Sequence, residues 1–164
     1  MCRTWAPVGQ TPVLHVVKGR PATMSMAAVC CYHRGHGSRT LFCTCPGWYH
    51  DRDLVVFLDR DHQVLDAPVI LVGDRLAAHR SRWTRAAIEA REWLEVEYLP
   101  SHTPEPNPVE NVWSPLKDTA LANLAALSFA ELGSAVRSGL RRLRYRPDLV
   151  DGFLAHTELQ LGTK

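Results

Sequence analysis

The sequence predicts one α/β domain in which helices pack on a mixed sheet. Three observations lead there. The 164 residues, 46% apolar and 22% charged, amount to one domain able to bury a core. The apolar period alternates along the chain between two residues and 3.6. The run Pro68-Val69-Ile70-Leu71-Val72 is short and wholly apolar, the pattern of a strand covered on both faces.

The elements follow in order. Residues 12–17, 24–32 and 39–45 read as strands, and the turn-like Arg34-Gly35-His36-Gly37-Ser38 joins the last two as a hairpin. From Asp51 the pattern is helical, with Leu54, Phe57, Leu58 and Leu65 on one stripe. Asp51, Asp53, Asp59 and Asp61 read as solvated positions of that helix. The strand over residues 68–72 follows, with Asp74 just past its carboxyl end. Ser81 is placed to cap a helix over 82–93 carrying Trp83, Ala86, Ala87 and Ala90, and residues 94–99 alternate as a strand.

Beyond a proline-rich loop, Asn107-Pro108-Val109-Glu110 is a helix start, with Asn at the N-cap, Pro at N1 and Glu at N3. Pro115 lies inside that helix and would cost ~3 kcal/mol in a regular one, which predicts a kink or a late start. Ser128-Phe129-Ala130-Glu131 is a capping box opening a helix that ends before Pro147. The order is β-β-β-α-β-α-β-α-α, without repeat or linker, so residues 1–164 form one domain.

Charge and cysteine content narrow the function classes. No apolar run approaches the ~20 residues of a membrane span, and no signal-peptide pattern follows Met1, so a cytoplasmic protein without a membrane partner is expected. The net charge is only +2, but Arg75, His79, Arg80, Arg82 and Arg85 form one basic group. Arg137, Arg141, Arg142, Arg144 and Arg146 form another. Such groups suit phosphates of a nucleic acid; the competing reading is a solvated helix face. Five cysteines without a secretory signal argue against a disulfide framework. Cys30, Cys31, Cys43 and Cys45 leave open a zinc-stabilised module, though Cys43-x-Cys45 is tighter than a usual zinc knuckle.

Two carboxylates are candidates for chemistry. Asp74 sits where open α/β sheets present ligand sites, and Glu110 lies in the first turn of a helix reached through the next strand. Paired carboxylates hold hard divalent cations, and two such ions can drive phosphoryl transfer. The bland readings are a turn aspartate and the N3 partner of Asn107.

Three blocks of text add a family. Arg3-Thr4-Trp5-Ala6-Pro7-Val8-Gly9-Gln10-Thr11-Pro12 resembles a stretch of bacterial insertion-sequence transposases of the mariner superfamily. Leu71-Val72-Gly73-Asp74-Arg75-Leu76-Ala77-Ala78-His79-Arg80-Ser81 is similar to their block around the second catalytic Asp. Leu99-Pro100, then Pro104-Glu105-Pro106-Asn107-Pro108-Val109-Glu110-Asn111-Val112-Trp113-Ser114 to Lys117, is similar to the block around their final acid and is the most specific of the three. The resemblance covers roughly residues 3–155.

It implies an RNase H-like fold and DNA transposition by metal-dependent cleavage and strand transfer. Asp74 and Glu110 would be the second and third members of a DDE triad holding two Mg2+ (or Mn2+) ions. It implies DNA as partner, both transposon ends and target, with a homodimer as the assembly and the nucleoid as the place of action. His79 matches a histidine of the second block, and His79, Arg80, Arg82, Arg141, Arg142 and Arg144 are the expected DNA-binding residues.

The sequence also departs from the family. The first catalytic Asp belongs on a strand ahead of the Arg-Thr-Trp-Ala-Pro block, and no acid precedes Asp51 here. The expectation is a mixed sheet flanked by helices with its first strand missing, an incomplete metal site, and a chain inactive by itself. Gly73 and Arg75 beside Asp74, and Pro115, are further departures. The alternative function is a non-catalytic DNA-binding remnant of a transposase.

Overall fold

The computed structural model describes residues 8–9, 23–74, 81–100, 107–121, 124, 128–157 and 159–161. The strand expected over residues 12–17 lies outside them. Strand β1 (Met24–His33) turns through Arg34-Gly35 into β2 (His36–Pro46), antiparallel, with Val29 opposite Leu41. Gly35, at φ 79°, takes the left-handed backbone that so tight a turn requires.

Helix α1 (Asp51–Leu65) begins where the backbone N–H of His50 donates to the Asp53 carboxylate at 2.9 Å. It buries Val55, Phe57 and Leu58, and the Arg60 guanidinium donates to the Phe42 carbonyl at 2.9 Å, tying the helix to β2. β3 (Val69–Gly73), α2 (Arg82–Glu89) and β4 (Leu94–Tyr98) form a crossover unit, with β3 and β4 parallel and Val69 opposite Leu94. Ser81 caps α2 as expected, its Oγ accepting from the Thr84 N–H at 3.0 Å. Arg91, just beyond α2, holds Asp59 of α1 with a two-pronged contact of 2.6 and 2.7 Å.

Helix α3 (Glu110–Pro115) runs directly into a π-helical turn (Leu116–Ala120), followed by α4 (Phe129–Arg144) and α5 (Pro147–Ala155). Val112 and Leu116 pack with Val136, Leu140 and Leu143 of α4 into the main core, against which Met24, Met26, Ala28 and Cys30 of β1 lie. The two-residue period of β1 thus turns one row of its side chains to α4.

The structure differs from the sequence reading in five respects. The sheet is two separate pairs, β1-β2 and β3-β4, because no described strand lies between β1 and β3 to join them. β3 is covered on one face only: Ile70 is 66% and Val72 42% exposed. An all-apolar run reports what a strand can bury, and here the second layer over that face is absent among the described residues. α2 stops at Glu89 and buries Thr84 while Trp83 stays exposed, since packing on α1 and β4 rather than the alanine stripe sets its rotation. Asp61 is buried rather than solvated, 4% exposed on the inward side of α1. Finally, Pro147 both ends α4 and opens α5 at its first turn.

Where α4 crosses the π-helical turn the backbones nearly touch. A Cβ on Gly139 would come within 2.6 Å of both Ala120 Cβ and Leu116 Cδ1. Gly→Ala inside a helix ordinarily gains up to ~1 kcal/mol. Here overpacking of about 1–3 kcal/mol outweighs that gain, so Gly139→Ala should lower the midpoint of thermal unfolding. A raised midpoint would show that the helices do not meet at Gly139.

Candidate functional site

Glu110 is held by the way its helix starts. The N–H groups of Glu110, Asn111 and Val112 donate to the carbonyls of Asn107, Pro108 and Val109 at 3.0–3.1 Å, a tight turn ahead of the regular helix. The helix starts later than Asn107 predicts: its N-cap is Val109, without a side-chain cap bond, and the Asn107 Oδ1 accepts from the Val109 N–H at 3.2 Å in the turn before it. This is the late start that Pro115 predicts. Proline has no N–H to offer Asn111, and the register slips into the π turn, closed by Leu121 N–H to Leu116 carbonyl at 3.0 Å. Thr119 Oγ1 donates to the Pro115 carbonyl at 2.6 Å. Val112, fully buried, and Leu116, 2% exposed, pin the segment to α4, leaving the Glu110 side chain exposed at a helix N-terminus, where a negative charge is favoured.

Asp74, half-buried, follows directly on β3. The Leu99 N–H donates to the Gly73 carbonyl at 2.9 Å, extending the parallel ladder to the end of β3. Asp74 and Glu110 border the same cavity of about 1300 Å³, whose walls also include Lys117 and Asp61. Two acids from separate sequence blocks therefore border one space.

Asp61 and Lys117 are the lining residues that sequence reasoning did not single out. Lys117 stands about two turns beyond Glu110 and closes the third block. Asp61 gave no signal, because an aspartate between Arg60 and His62 on an amphipathic helix reads as surface. Arg60 donates to its Oδ1 at 3.3 Å, while its Oδ2 is buried without a partner among the described residues. Burial pushes the Asp61 carboxyl up to about 6 against the pull of Arg60.

The basic residues divide. His79 and Arg80 lie outside the described residues. Arg82 is exposed in the first turn of α2. Arg141, Arg142 and Arg144 are exposed on α4, on the side away from its buried stripe. Arg137, Arg141 and Arg142 surround a surface hollow of about 410 Å³ with Ser134, Ser138 and Tyr145, and Arg144 lies outside it.

The cysteines do not gather. Adjacent residues of a strand point to opposite faces, and Cys30 belongs to the row of β1 that packs toward α4, which turns Cys31 away from it. Burial pushes the Cys30 thiol up to about 11 and the Cys31 thiol to about 12, so both stay protonated at neutral pH. Among the described residues no three of His, Cys, Asp and Glu are grouped to hold a metal, which removes the zinc module built on these cysteines.

A βαβ crossover beside an antiparallel hairpin, with acids at the carboxyl end of β3 and at a neighbouring helix start, is the arrangement of an RNase H-like domain. The model of the DDE superfamily endonucleases matches residues 2–132, and the chain belongs to that family. Solved structures agree on the fold. A Mos1 strand transfer complex matches with a TM-score of 0.53 at 12% identity, over 98% of this chain and 50% of the other. A Mos1 mariner paired end complex with Mn matches with a TM-score of 0.52 at 14% identity, over 99% and 52%. The chain spans about half the length of these structures. No curated protein matches it. Among the described residues no helix is long and apolar enough to cross a membrane.

Asp61 provides a test of the cavity wall. A carboxyl whose pKa is raised from 3.8 to about 6 favours the folded state when protonated. The contribution of Asp61 to stability is then fully present below pH ~4, is lost as the pH rises through about 6, and stays lost above it. Asp61→Asn should stabilise the protein by about 1–3 kcal/mol at pH 7 and by almost nothing at pH 4. Denaturant titrations at the two pH values check this, and an equal effect at both would contradict the burial of the charge.

Proposed function

We infer that this chain is catalytic-domain sequence of a DNA transposase, with Asp74 and Glu110 as two of its metal-binding carboxylates. The observation that carries the reading is the shared cavity. In a member of the DDE superfamily endonucleases, the two acids of the second and third sequence blocks border one space. Their donor chemistry fits the ions proposed. Both offer hard oxygen, suited to Mg2+ or Mn2+ and unsuited to softer thiophilic metals, and a Mos1 mariner complex of similar fold is described with Mn. Bound there, such ions would activate an attacking oxygen and stabilise charge on the phosphate.

The chain's own residues do the rest. Asp74, fixed at the end of β3, and Glu110, fixed at the start of α3, present oxygens toward the cavity without a large search over backbone conformations. Lys117 adds a cation to the wall that can meet a phosphate oxygen. Arg82, Arg141, Arg142 and Arg144, with Arg137, bind the DNA backbone, and His79 and Arg80 contribute to the same binding. Transposon ends and target DNA are the partners.

Two carboxylates hold a metal pair less tightly than three. Residues 1–164 alone should therefore bind DNA without carrying out strand transfer. A second reading, a DNA-binding remnant without catalysis, is favoured by the absence of a third grouped ligand among the described residues.

Metal and DNA binding separate the readings. Asp74→Ala and Glu110→Ala should each weaken Mn2+ binding about tenfold or more in calorimetric titrations, on the scale of a missing ligand, and leave DNA affinity within about twofold. Unchanged Mn2+ affinity in both variants would remove these acids from the site. Undetectable Mn2+ binding by the parent chain, with DNA binding intact, would establish the remnant. Strand transfer by the parent chain alone would show that two carboxylates suffice.

The basic face is tested separately. Replacing Arg137, Arg141 and Arg144 together by Ala should weaken duplex DNA binding and reduce the salt slope by about 2–3, near 0.9 for each phosphate that is no longer neutralised. An unaltered slope would make the α4 stripe a solvated face.

A further inference from the structure

We propose that the hollow on α4 is a site for single-stranded DNA, in which Tyr145 stacks on an unpaired base while Arg137, Arg141 and Arg142 hold the phosphates beside it. The proposal rests on the transposase reading and deepens it, from DNA in general to an unpaired stretch of one strand at this face.

The shape of the hollow comes from the sequence of α4. Ser134, Arg137, Ser138, Arg141, Arg142 and Tyr145 line it, and steps of three and four residues keep them on one stripe of the helix, about three turns long. The face of a single helix is ordinarily convex. This one is concave because the helical period puts the two short serines in the middle of the stripe, with Arg137 on one side and Arg142 on the other. The absent side chain of Gly133 lets the Arg137 guanidinium lie along the helix, where an added Cβ would come within 2.9 Å of it. The volume of about 410 Å³ is near the lower end of the roughly 300–1,000 Å³ of small-ligand pockets. It suits a nucleotide better than a duplex, whose major groove alone is about 12 Å wide.

The lining also specifies the chemistry of the occupant. Arg137, Arg141 and Arg142 take part in no ion pair among the described residues, and the next acid beyond them, Asp148, is held by Arg146 at 2.6 Å. Their charge is therefore available to a polyanion. Tyr145, at the carboxyl end of the stripe, is 76% exposed. A ring that the core of α4 leaves uncovered, set among arginines, is the pairing of aromatic platform and cationic track that single strands use. In a duplex the bases are already stacked on one another and offer Tyr145 no free face, so a duplex meets the arginines alone. An unpaired base adds the stacking. The serine hydroxyls on the floor can donate to a phosphate or a base edge. One unpaired strand thus uses the cations, the hydroxyls and the ring together.

The test measures binding of the whole chain to two probes: an oligothymidylate of about eight nucleotides carrying one 2-aminopurine, and a labelled duplex. Tyr145→Ala should weaken binding of the single strand about tenfold and of the duplex by less than about twofold. Tyr145→Phe, which keeps the ring, should bind both probes like the parent. Stacking quenches 2-aminopurine, so its fluorescence should fall on binding to the parent and to the Phe variant but not to the Ala variant. Tyr145 is already exposed, and neither replacement should move the unfolding midpoint appreciably. Arg141→Ala should reduce the salt slope for the single strand by about 0.7. Equal losses for both probes in Tyr145→Ala, or no loss for either, would overturn the proposal and leave the transposase reading in place. A phosphorylated peptide that displaced the oligonucleotide at lower concentration than unlabelled oligothymidylate would make a protein the occupant and overturn it equally. Failure of the parent chain to bind either probe would count against the transposase reading itself, and this inference would fall with it.

Discussion

The contact on which the rest of the site depends is the crossing of α4 over the π-helical turn. Gly139 lets Leu116 and Ala120 approach the α4 backbone, and no other residue fits that space without displacement. Leu116 is 2% exposed and Leu140 fully buried, so the crossing is locked by packing as well as by shape. Glu110 lies less than two turns upstream on the same rigid segment, and its position is inherited from that contact. Pro115 belongs to the same logic. It weakens the helix locally, yet the slip in register it imposes is absorbed where the segment is already clamped.

The divided sheet is the second constraint. In a mixed sheet, strands hold one another in register, and an acid at the end of one strand is placed by all of them. Here β3 is positioned by β4, by α2 behind the crossover and by the Arg91–Asp59 clamp to α1. β1 is positioned by β2 and the α4–α5 layer. Asp74 and Glu110 thus belong to two bodies of structure that meet across the cavity rather than across hydrogen-bonded strands. The relative placement of the two acids is therefore only as firm as packing and side-chain ties such as Arg60 to the Phe42 carbonyl and Arg91 to Asp59.

Much of this was legible in the sequence, for identifiable reasons. The caps at Ser81 and Ser128 and the turn at Arg34-Gly35 are local chemistry, and local chemistry survives folding unchanged. The approach of Asp74 and Glu110 to one cavity followed from a strand–helix–strand return, a topological consequence of the element order. What escaped was set by distant partners. The exposure of Ile70 and Val72 depends on what covers β3, which the run of apolar residues cannot reveal. The burial of Asp61 depends on which side of α1 meets the sheet. α5 was hidden because Pro147 signals an end and a beginning with the same residue, and only Leu149, Val150 and Phe153 packing on the core distinguish them.

Charge distribution gives the last step. The acids that border the cavity and the arginines of α4 lie on different elements. With a net charge of only +2, this chain separates them by secondary structure. The acids occupy a strand end and a helix start bordering a cavity, and the arginines of α4 occupy the stripe opposite its buried face. Each set keeps its own local field while the total stays near zero. The helical period of α4 does the sorting, since the same turns that send Val136, Leu140 and Leu143 inward send Arg137, Arg141 and Arg144 out. That coupling makes the basic face a by-product of the core's own spacing, and it can vary in strength without disturbing the packing that positions Glu110.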